Sequence, residues 1–292
     1  MYHLLSVHFI KLIKDKFFWL LEGGIALWAL FASIMARNNM ARDFDIYFYN
    51  VVIWIGVTLA VYSVFFIGGE FLDGTLRNQI ISGKRRPVIY LSHFVIILTA
   101  GILQTVTYFL ISFLSGTFLL GFSVWKNVCL QIENPLLILL ALLEYSAVFS
   151  CISIMIGEKT KILFVLVLLS VLLLLVGFAT IDSLTEPRTI ISQYAPPGGN
   201  YVTVYDYPNP RYPEGRRRTV YEWADAVNPS SFILHCIVTV RDDIIKKEGS
   251  VTTVIRGDHP LPFHAKIPAG AVLLSTCFLL AGCSAFQKKD LK

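Results

Sequence analysis

The stretch Gly69-Glu-Phe-Leu-Asp-Gly-Thr-Leu-Arg-Asn-Gln-Ile-Ile-Ser-Gly-Lys-Arg-Arg-Pro87 is a polar segment between two long apolar runs. The runs cover residues 51–68 and 88–120, and each is long enough to cross a bilayer. The polar segment is therefore a short connection at a membrane face. Its apolar residues recur at helical spacing, with Glu70, Asp73 and Arg77 on the other side, which predicts an amphipathic helix.

The end of this segment carries both a helix stop and positive charge. Gly83 is placed to end the helix, and Pro87 suits the first turn of the next one. Lys84, Arg85 and Arg86 stand where the helix meets the bilayer. A short amphipathic helix that ends in positive charge, held at a membrane face by two spans, is typical of a docking element for a soluble partner.

The bulk composition is that of an integral membrane protein. The chain has 292 residues, of which 55% are hydrophobic and 15% are charged, and its mean hydropathy is +0.64. The net charge of +5 does not indicate nucleic-acid binding, because the basic residues follow the membrane edges. The five cysteines have no metal-binding or redox spacing, and we predict no metal site.

Six apolar runs predict six transmembrane helices, preceded by an amphipathic interfacial helix at residues 1–16. The runs cover about residues 17–35, 51–68, 88–120, 136–156, 162–181 and 267–286. We therefore expect an all-α integral membrane protein, and we treat 1–292 as a single transmembrane domain.

The distribution of basic residues predicts the orientation. Twelve Lys and Arg residues lie on the side of the termini, whereas the two short loops opposite hold three. Because basic residues favour the cytosolic side, we expect a multi-pass plasma-membrane protein with both termini and the segment 69–87 in the cytosol. Residues 182–266 then form a long extracellular loop between helices five and six.

The pattern of that loop predicts partial structure. Residues 201–205 alternate like a strand, and residues 215–221 could pair with it. Residues 221–227 and 229–247 are predicted to be short helices, the second capped by Asn228.

The polar segment also resembles a known family. Glu70, Gly74, Thr75, Leu76, Arg77 and Arg86 match a motif of the permease subunits of type-2 ATP-binding-cassette (ABC) exporters. His93 stands where that family usually has a lysine at the start of the third membrane helix.

The resemblance implies that residues 69–87 form the coupling helix, which docks on a separate ATPase subunit. The residues assigned to this contact are Glu70, Phe71, Asp73, Gly74, Thr75, Leu76, Arg77, Lys84, Arg85, Arg86 and, in the short turn between helices four and five, Glu158. It also implies two ATPase copies and a second permease protomer, as a homodimer. External helices between spans five and six are a further family feature.

The chain has no phosphate-binding loop of the type G-x-x-x-x-G-K-[ST] and no recognisable catalytic motif. We therefore expect no enzyme activity and no cofactor in this chain itself, with ATP and magnesium bound by the partner subunit. The expected function is the export of a hydrophobic or amphipathic cargo, such as a peptide, an antimicrobial compound or a lipid.

Polar residues at membrane depth are candidates for a translocation path, because burying them in a bilayer is costly. These residues are Glu22, Gln104 and Glu144. The alternatives are that Glu22 reaches the nearby membrane edge and that Glu144 makes an interhelical hydrogen bond. The alternative function for the whole chain is a membrane sensor that binds a ligand through residues 182–266.

Overall fold

A computed structural model of the protein describes residues 2–38, 48–49, 52–121, 133–186, 188–194, 203–238, 244–248, 251–255 and 266–289. The first half consists of helices α1 (Tyr2–Lys14), α2 (Lys16–Asn38), α3 (Val52–Ser63), α4 (Gly69–Leu72), α5 (Thr75–Ile81) and α6 (Arg86–Leu120). The second half consists of α7 (Glu133–Ile156), α8 (Lys159–Leu184), β1 (Thr189–Tyr194), β2 (Thr203–Pro208), α9 (Arg216–Ala226), α10 (Pro229–Val238), β3 (Ile244–Glu248), β4 (Val251–Ile255) and α11 (Lys266–Lys288).

Six of these helical stretches are long and apolar enough to span a membrane, which confirms the six predicted spans. They are Lys16–Asn38, Trp54–Leu72, Arg86–Leu120, Asn134–Ile156, Lys159–Leu184 and Lys266–Lys288. Each is somewhat longer than its apolar run, because polar residues at the ends continue the helix beyond the hydrocarbon region.

The fourth span forms the centre of the bundle. In its most apolar window 78% of the residues are buried, against 22% in the fifth span and 28% in the sixth. The sixth span packs on the fourth and third, and the first packs on the third. The fifth and sixth spans therefore expose most of their apolar surface outside the chain.

Helix α1 covers the residues for which the sequence predicts an interfacial helix. Leu4 and Leu12 are buried on one side, whereas Val7, Ile10 and Ile13 remain exposed. An exposed apolar row on a helix that lies beside the spans is typical of a helix lying in a membrane interface.

The segment between the fifth and sixth spans contains a four-stranded antiparallel sheet in the order β2-β1-β4-β3. The spanning part is helical as predicted, and this sheet is an addition to the all-α description. The proposed strand at residues 203–205 is confirmed within β2, whereas residues 201–202 lie outside the described residues.

Two local predictions in this segment were wrong. Residues 216–221 do not pair with the strand but form the first part of α9, in which Arg218 and Glu222 make an ion pair one helical turn apart at 3.4 Å. The helix predicted over 229–247 ends at Val238, and β3 pairs with β4, Ile245 opposite Val254. Cross-strand pairing between β-branched residues of the two consecutive strands outweighs the local helical pattern there.

Helix α10 lies against the bundle at the end opposite to the termini. The Asn228 side chain accepts a hydrogen bond from the backbone of Ser230 at 3.0 Å, as expected of a helix N-cap. Its amide donates to the carbonyl oxygen of Leu173 in α8 at 2.9 Å, and the hydroxyls of Tyr145 and Ser230 are hydrogen-bonded. This segment is therefore fastened to the fourth and fifth spans.

Candidate functional site

The connection between the second and third spans begins inside the second span itself. A π-helical stretch, Val64–Gly68, follows α3 and leads into α4. The chain then turns at Gly74, whose φ of 67° lies in the left-handed region that favours glycine. The predicted single helix is thus two short helices, because the turn at Gly74 separates α4 from α5.

The predicted end of this connection is confirmed. Gly83 has a φ of 84° and follows Ser82, the residue that caps the end of α5. Arg85 is extended, and Pro87 occupies the first turn of α6. We refer to residues 69–87 as the coupling segment. The terminal end is the end of the bundle that carries this segment, the turn at residues 157–158 and residue 289.

The exposed surface of the coupling segment combines apolar and charged side chains. Leu72 is 75% exposed and Ile81 is 73% exposed. Asp73, Arg77, Lys84 and Arg85 are also exposed. Exposed large apolar residues surrounded by charges are typical of a surface that another protein covers.

Two of the residues assigned to the ATPase contact lie inside the protein instead. Leu76 is 1% exposed and Glu70 is fully buried. The sequence pattern places Leu72 and Leu76 on one apolar face and Glu70 on the polar face. This division is wrong, because Leu72 is exposed whereas Leu76 and Glu70 are buried. The turn at Gly74 rotates α5 relative to α4, which a single continuous helix would not allow.

Glu70 is the centre of a buried polar cluster. Its Oε1 accepts a hydrogen bond from Lys11 Nζ at 2.8 Å, and its Oε2 is 2.8 Å from His93 Nε2. The Gln79 amide donates to Oε2 at 3.4 Å. The Glu70 carboxylate thus forms hydrogen bonds with side chains of helix α1, the coupling segment and α6.

A second histidine, His8 of α1, completes this cluster. Its ring stacks on that of His93 with the centroids 5.2 Å apart, and its Nε2 is 3.7 Å from Glu70 Oε1. Burial and, to a smaller extent, the neighbouring His93 lower the pKa of His8 to about 4, while the nearby Glu70 opposes this shift. At neutral pH His8 is therefore uncharged.

Arg86 connects the coupling segment to the sixth span. Its guanidinium donates hydrogen bonds to the carbonyl oxygens of Phe286, Gln287 and Lys289, at 3.1, 2.9 and 2.6 Å. These carbonyls lie at the end of α11, where a helix leaves its last acceptors without partners. Arg86 is thus a cap of α11.

Lys289 connects the end of the sixth span to the end of the fourth span. Its amino group donates to the carbonyl oxygens of Ile154 and Met155 at the end of α7, at 2.6 and 3.0 Å. It also lies 4.6 Å from the centre of the Phe71 ring. Burial lowers the pKa of Lys289. The sequence pattern did not reveal this contact, because it joins residues more than a hundred positions apart.

Glu158 lies in the short turn between the fourth and fifth spans, at the terminal end. It is exposed and forms an ion pair of 2.7 Å with Lys161. The adjoining Gly157 lies beside Lys289 and Phe71. The structure therefore places Glu158 next to the coupling segment.

The three residues assigned to a translocation path are buried within the chain. Glu22 is 5% exposed, and Gln104 and Glu144 are fully buried. Gln104 accepts a hydrogen bond from Thr58 at 3.1 Å, whereas both Glu144 carboxylate oxygens have no hydrogen-bond partner among the described residues. No hydrogen bond within the described part of the chain joins the three to one another.

The cysteines do not add a site within the described residues. The Cys236 thiol is buried and lies 3.7 Å from the carbonyl oxygen of Asn134, and burial raises its pKa. Cys129, another of the five cysteines of the chain, lies outside the described residues.

At the terminal end, hydrogen bonds thus connect the second, third, fourth and sixth spans and helix α1. Comparison of the chain with models of known protein families and with curated proteins found no match.

Proposed function

We propose that this chain is the membrane-spanning permease subunit of an ATP-driven exporter of the ABC type. In this proposal two copies form a homodimer, and each docks on a separate ATPase subunit. The observation that supports it is the exposed surface of the coupling segment, where Leu72 and Ile81 stand beside Arg77 and Lys84 at one end of a six-span bundle.

A docking element transmits force only if it is firmly attached to what it moves. Glu70 holds the segment to α1 and α6. Arg86 holds its other end to α11, and Lys289 links α11 to α7. A displacement of the coupling segment would therefore move several spans together, because packed helices shift as rigid bodies.

The mechanism follows from this attachment. When the ATPase subunits close on ATP, they push on the coupling segment. The second and third spans transmit the push, and the two protomers separate on the outer side. The chain itself holds neither ATP nor magnesium in this scheme.

A hydrophobic or amphipathic cargo suits the apolar interior. A cavity of about 390 Å³ lies between the start of the second span and helices α6 and α7. Phe48, Tyr49, Ile102, Phe109 and Leu142 are among the residues that line it. Such a lining favours lipid-like molecules or apolar peptide side chains over ions.

The docking surface can be tested directly. Leu72→Ala combined with Ile81→Ala should leave membrane insertion intact but reduce co-purification of a soluble ATPase by about tenfold or more, because exposed apolar anchors dominate protein interfaces. Leu76 is unsuitable for this test, since its replacement would open a cavity in the core. The matched control is Leu114→Ala with Phe118→Ala, two exposed residues at the far end of α6.

The measurement is a pull-down of the tagged chain from its native membrane in mild detergent, followed by an ATPase assay. Co-purification of a subunit with a phosphate-binding loop, and vanadate-sensitive hydrolysis, is the expected result. Isolation of the chain alone, without hydrolysis, would contradict the proposal and favour the alternative function of a sensor that binds a ligand through residues 182–266.

A further inference from the structure

Three buried side chains at the terminal end are arranged as metal ligands. His8, Glu70 and His93 each offer one ligand atom, and these atoms lie within 4.8 Å of one another. The residues are 1%, 0% and 0% exposed. They come from α1, α4 and α6, so only the folded chain brings them together.

We infer that His8, Glu70 and His93 form a zinc-binding site. Two imidazole nitrogens and one carboxylate oxygen are a donor set that zinc prefers, whereas magnesium and calcium prefer oxygen ligands alone. This inference is independent of the proposed transport function, because it concerns only residues within one chain.

The distances require small adjustments. Ligand atoms around a tetrahedral zinc ion are about 3.4 Å apart, given bonds of about 2.1 Å. His93 Nε2 and Glu70 Oε2 are 2.8 Å apart, and the three ligand atoms, one from each residue, lie within 4.8 Å of one another. The His93–Glu70 pair must therefore open by about 0.6 Å to reach tetrahedral spacing.

Both histidine rings can adopt the tautomer that ligation requires. Zinc binds the neutral ring through a nitrogen that carries no proton. The Nδ1 atoms of both rings have no hydrogen-bond partner among the described residues, so each can carry the ring proton while Nε2 faces the metal.

Gln79 can supply a fourth ligand. Its amide nitrogen lies 3.3 Å from His8 Nε2 and 3.4 Å from Glu70 Oε2. Its amide oxygen is buried without a hydrogen-bond partner among the described residues. Rotation of the amide by half a turn exchanges the two atoms and directs the oxygen to the cluster.

Lys11 is the cation that competes with the metal. Its amino group lies 2.8 Å from Glu70 Oε1, and 41% of its side chain is exposed. It can remain on Oε1 while zinc binds Oε2, or move into solvent. Removal of its charge should therefore strengthen zinc binding, which a purely structural ion pair would not produce.

A bound zinc ion would fasten the interfacial helix to the coupling segment. It would connect α1 through His8, the segment through Glu70 and Gln79, and α6 through His93. The site would thus stabilise the position of the docking surface relative to the membrane.

The test is zinc binding by equilibrium dialysis of the chelator-treated protein in detergent, with zinc chloride as the only added metal. Wild type should bind close to one zinc per chain and melt at a higher temperature with zinc than without. Cobalt in place of zinc should give the visible absorption of a four-coordinate site. His8→Ala and His93→Ala should each weaken zinc binding by about tenfold or more.

His3→Ala is the matched control, since His3 is exposed on the same helix, and it should bind zinc as wild type does. Lys11→Met should tighten binding by about tenfold. Absence of zinc binding in wild type overturns the inference, as does undiminished binding in both histidine variants. If those two variants fail to fold, a Lys11→Met protein that binds zinc no more tightly than wild type still overturns it.

Discussion

The side chain of Lys289 donates a hydrogen bond to the carbonyl oxygen of Ile154 at 2.6 Å, so the end of the sixth span caps the fourth. The same amino group lies over the ring of Phe71 in the coupling segment. One side chain thus joins the most buried span, the last span and the segment 69–87.

Replacement of Lys289 should loosen this junction. Lys289→Met removes a cation from the end of α7 and leaves two carbonyl oxygens without their donor, at a cost of about 1–2 kcal/mol. We expect a lower melting temperature in detergent. Lys288→Met is the control, because Lys288 is exposed and next to it in sequence. An equal effect of both substitutions would show that the specific contact does not matter.

Replacement of Glu70 should release the interfacial helix. Glu70→Gln removes the charge that pairs with Lys11 and His93, and loss of one partner from a buried charged cluster costs about 3 kcal/mol. Amide hydrogen exchange of residues 2–14 should become faster. Glu158→Gln, at an exposed ion pair, should leave that exchange unchanged. Slow exchange in Glu70→Gln would mean that apolar packing alone holds α1.

Gly270 should tolerate no side chain. A Cβ atom there would overlap the carbonyl oxygen of Ala226 at the end of α9. Gly270→Ala should therefore separate α9 from the sixth span and destabilise the protein by about 1–3 kcal/mol, because backbone atoms cannot move aside cheaply. The readout is thermal unfolding followed by near-ultraviolet circular dichroism.

Gly23→Ala provides the comparison for that substitution. Gly23 is exposed on a membrane helix, and a Cβ atom at this position would have no other atom within 4 Å. The Gly23→Ala substitution should be neutral or slightly stabilising, since alanine favours the helix more than glycine does. If Gly270→Ala behaved in the same way, the contact with α9 would not be tight in solution.

The buried pair of Asp225 and His235 should hold α9 and α10 together. His235 Nε2 lies 2.8 and 3.0 Å from the two Asp225 carboxylate oxygens. Asp225→Ala should destabilise this segment by about 1–3 kcal/mol, because it leaves a buried ring nitrogen without this acceptor. Proteolysis within residues 216–238 should accelerate. Glu214→Ala, at an exposed position nearby, should not change it, and equal cleavage of both variants would contradict this role.

The sequence by itself determined the six membrane helices and the place of the coupling segment. Long apolar runs leave the backbone no alternative to a helix in a bilayer, and Gly83 and Pro87 mark local boundaries that do not depend on distant residues. Asn228 was likewise predictable as a cap, since its hydrogen bond reaches only two residues along the chain.

Only the tertiary structure decided which side chains of the coupling segment are available to a partner. The sequence pattern placed Glu70 on a polar face, and the family resemblance assigned both Glu70 and Leu76 to the ATPase contact, yet both are buried. The turn at Gly74 and the contacts from Lys11 and His93 decide this, and they depend on how distant helices pack. The sheet in the segment between the last two spans arose in the same way, because β1 pairs with β4 some sixty residues further along the chain.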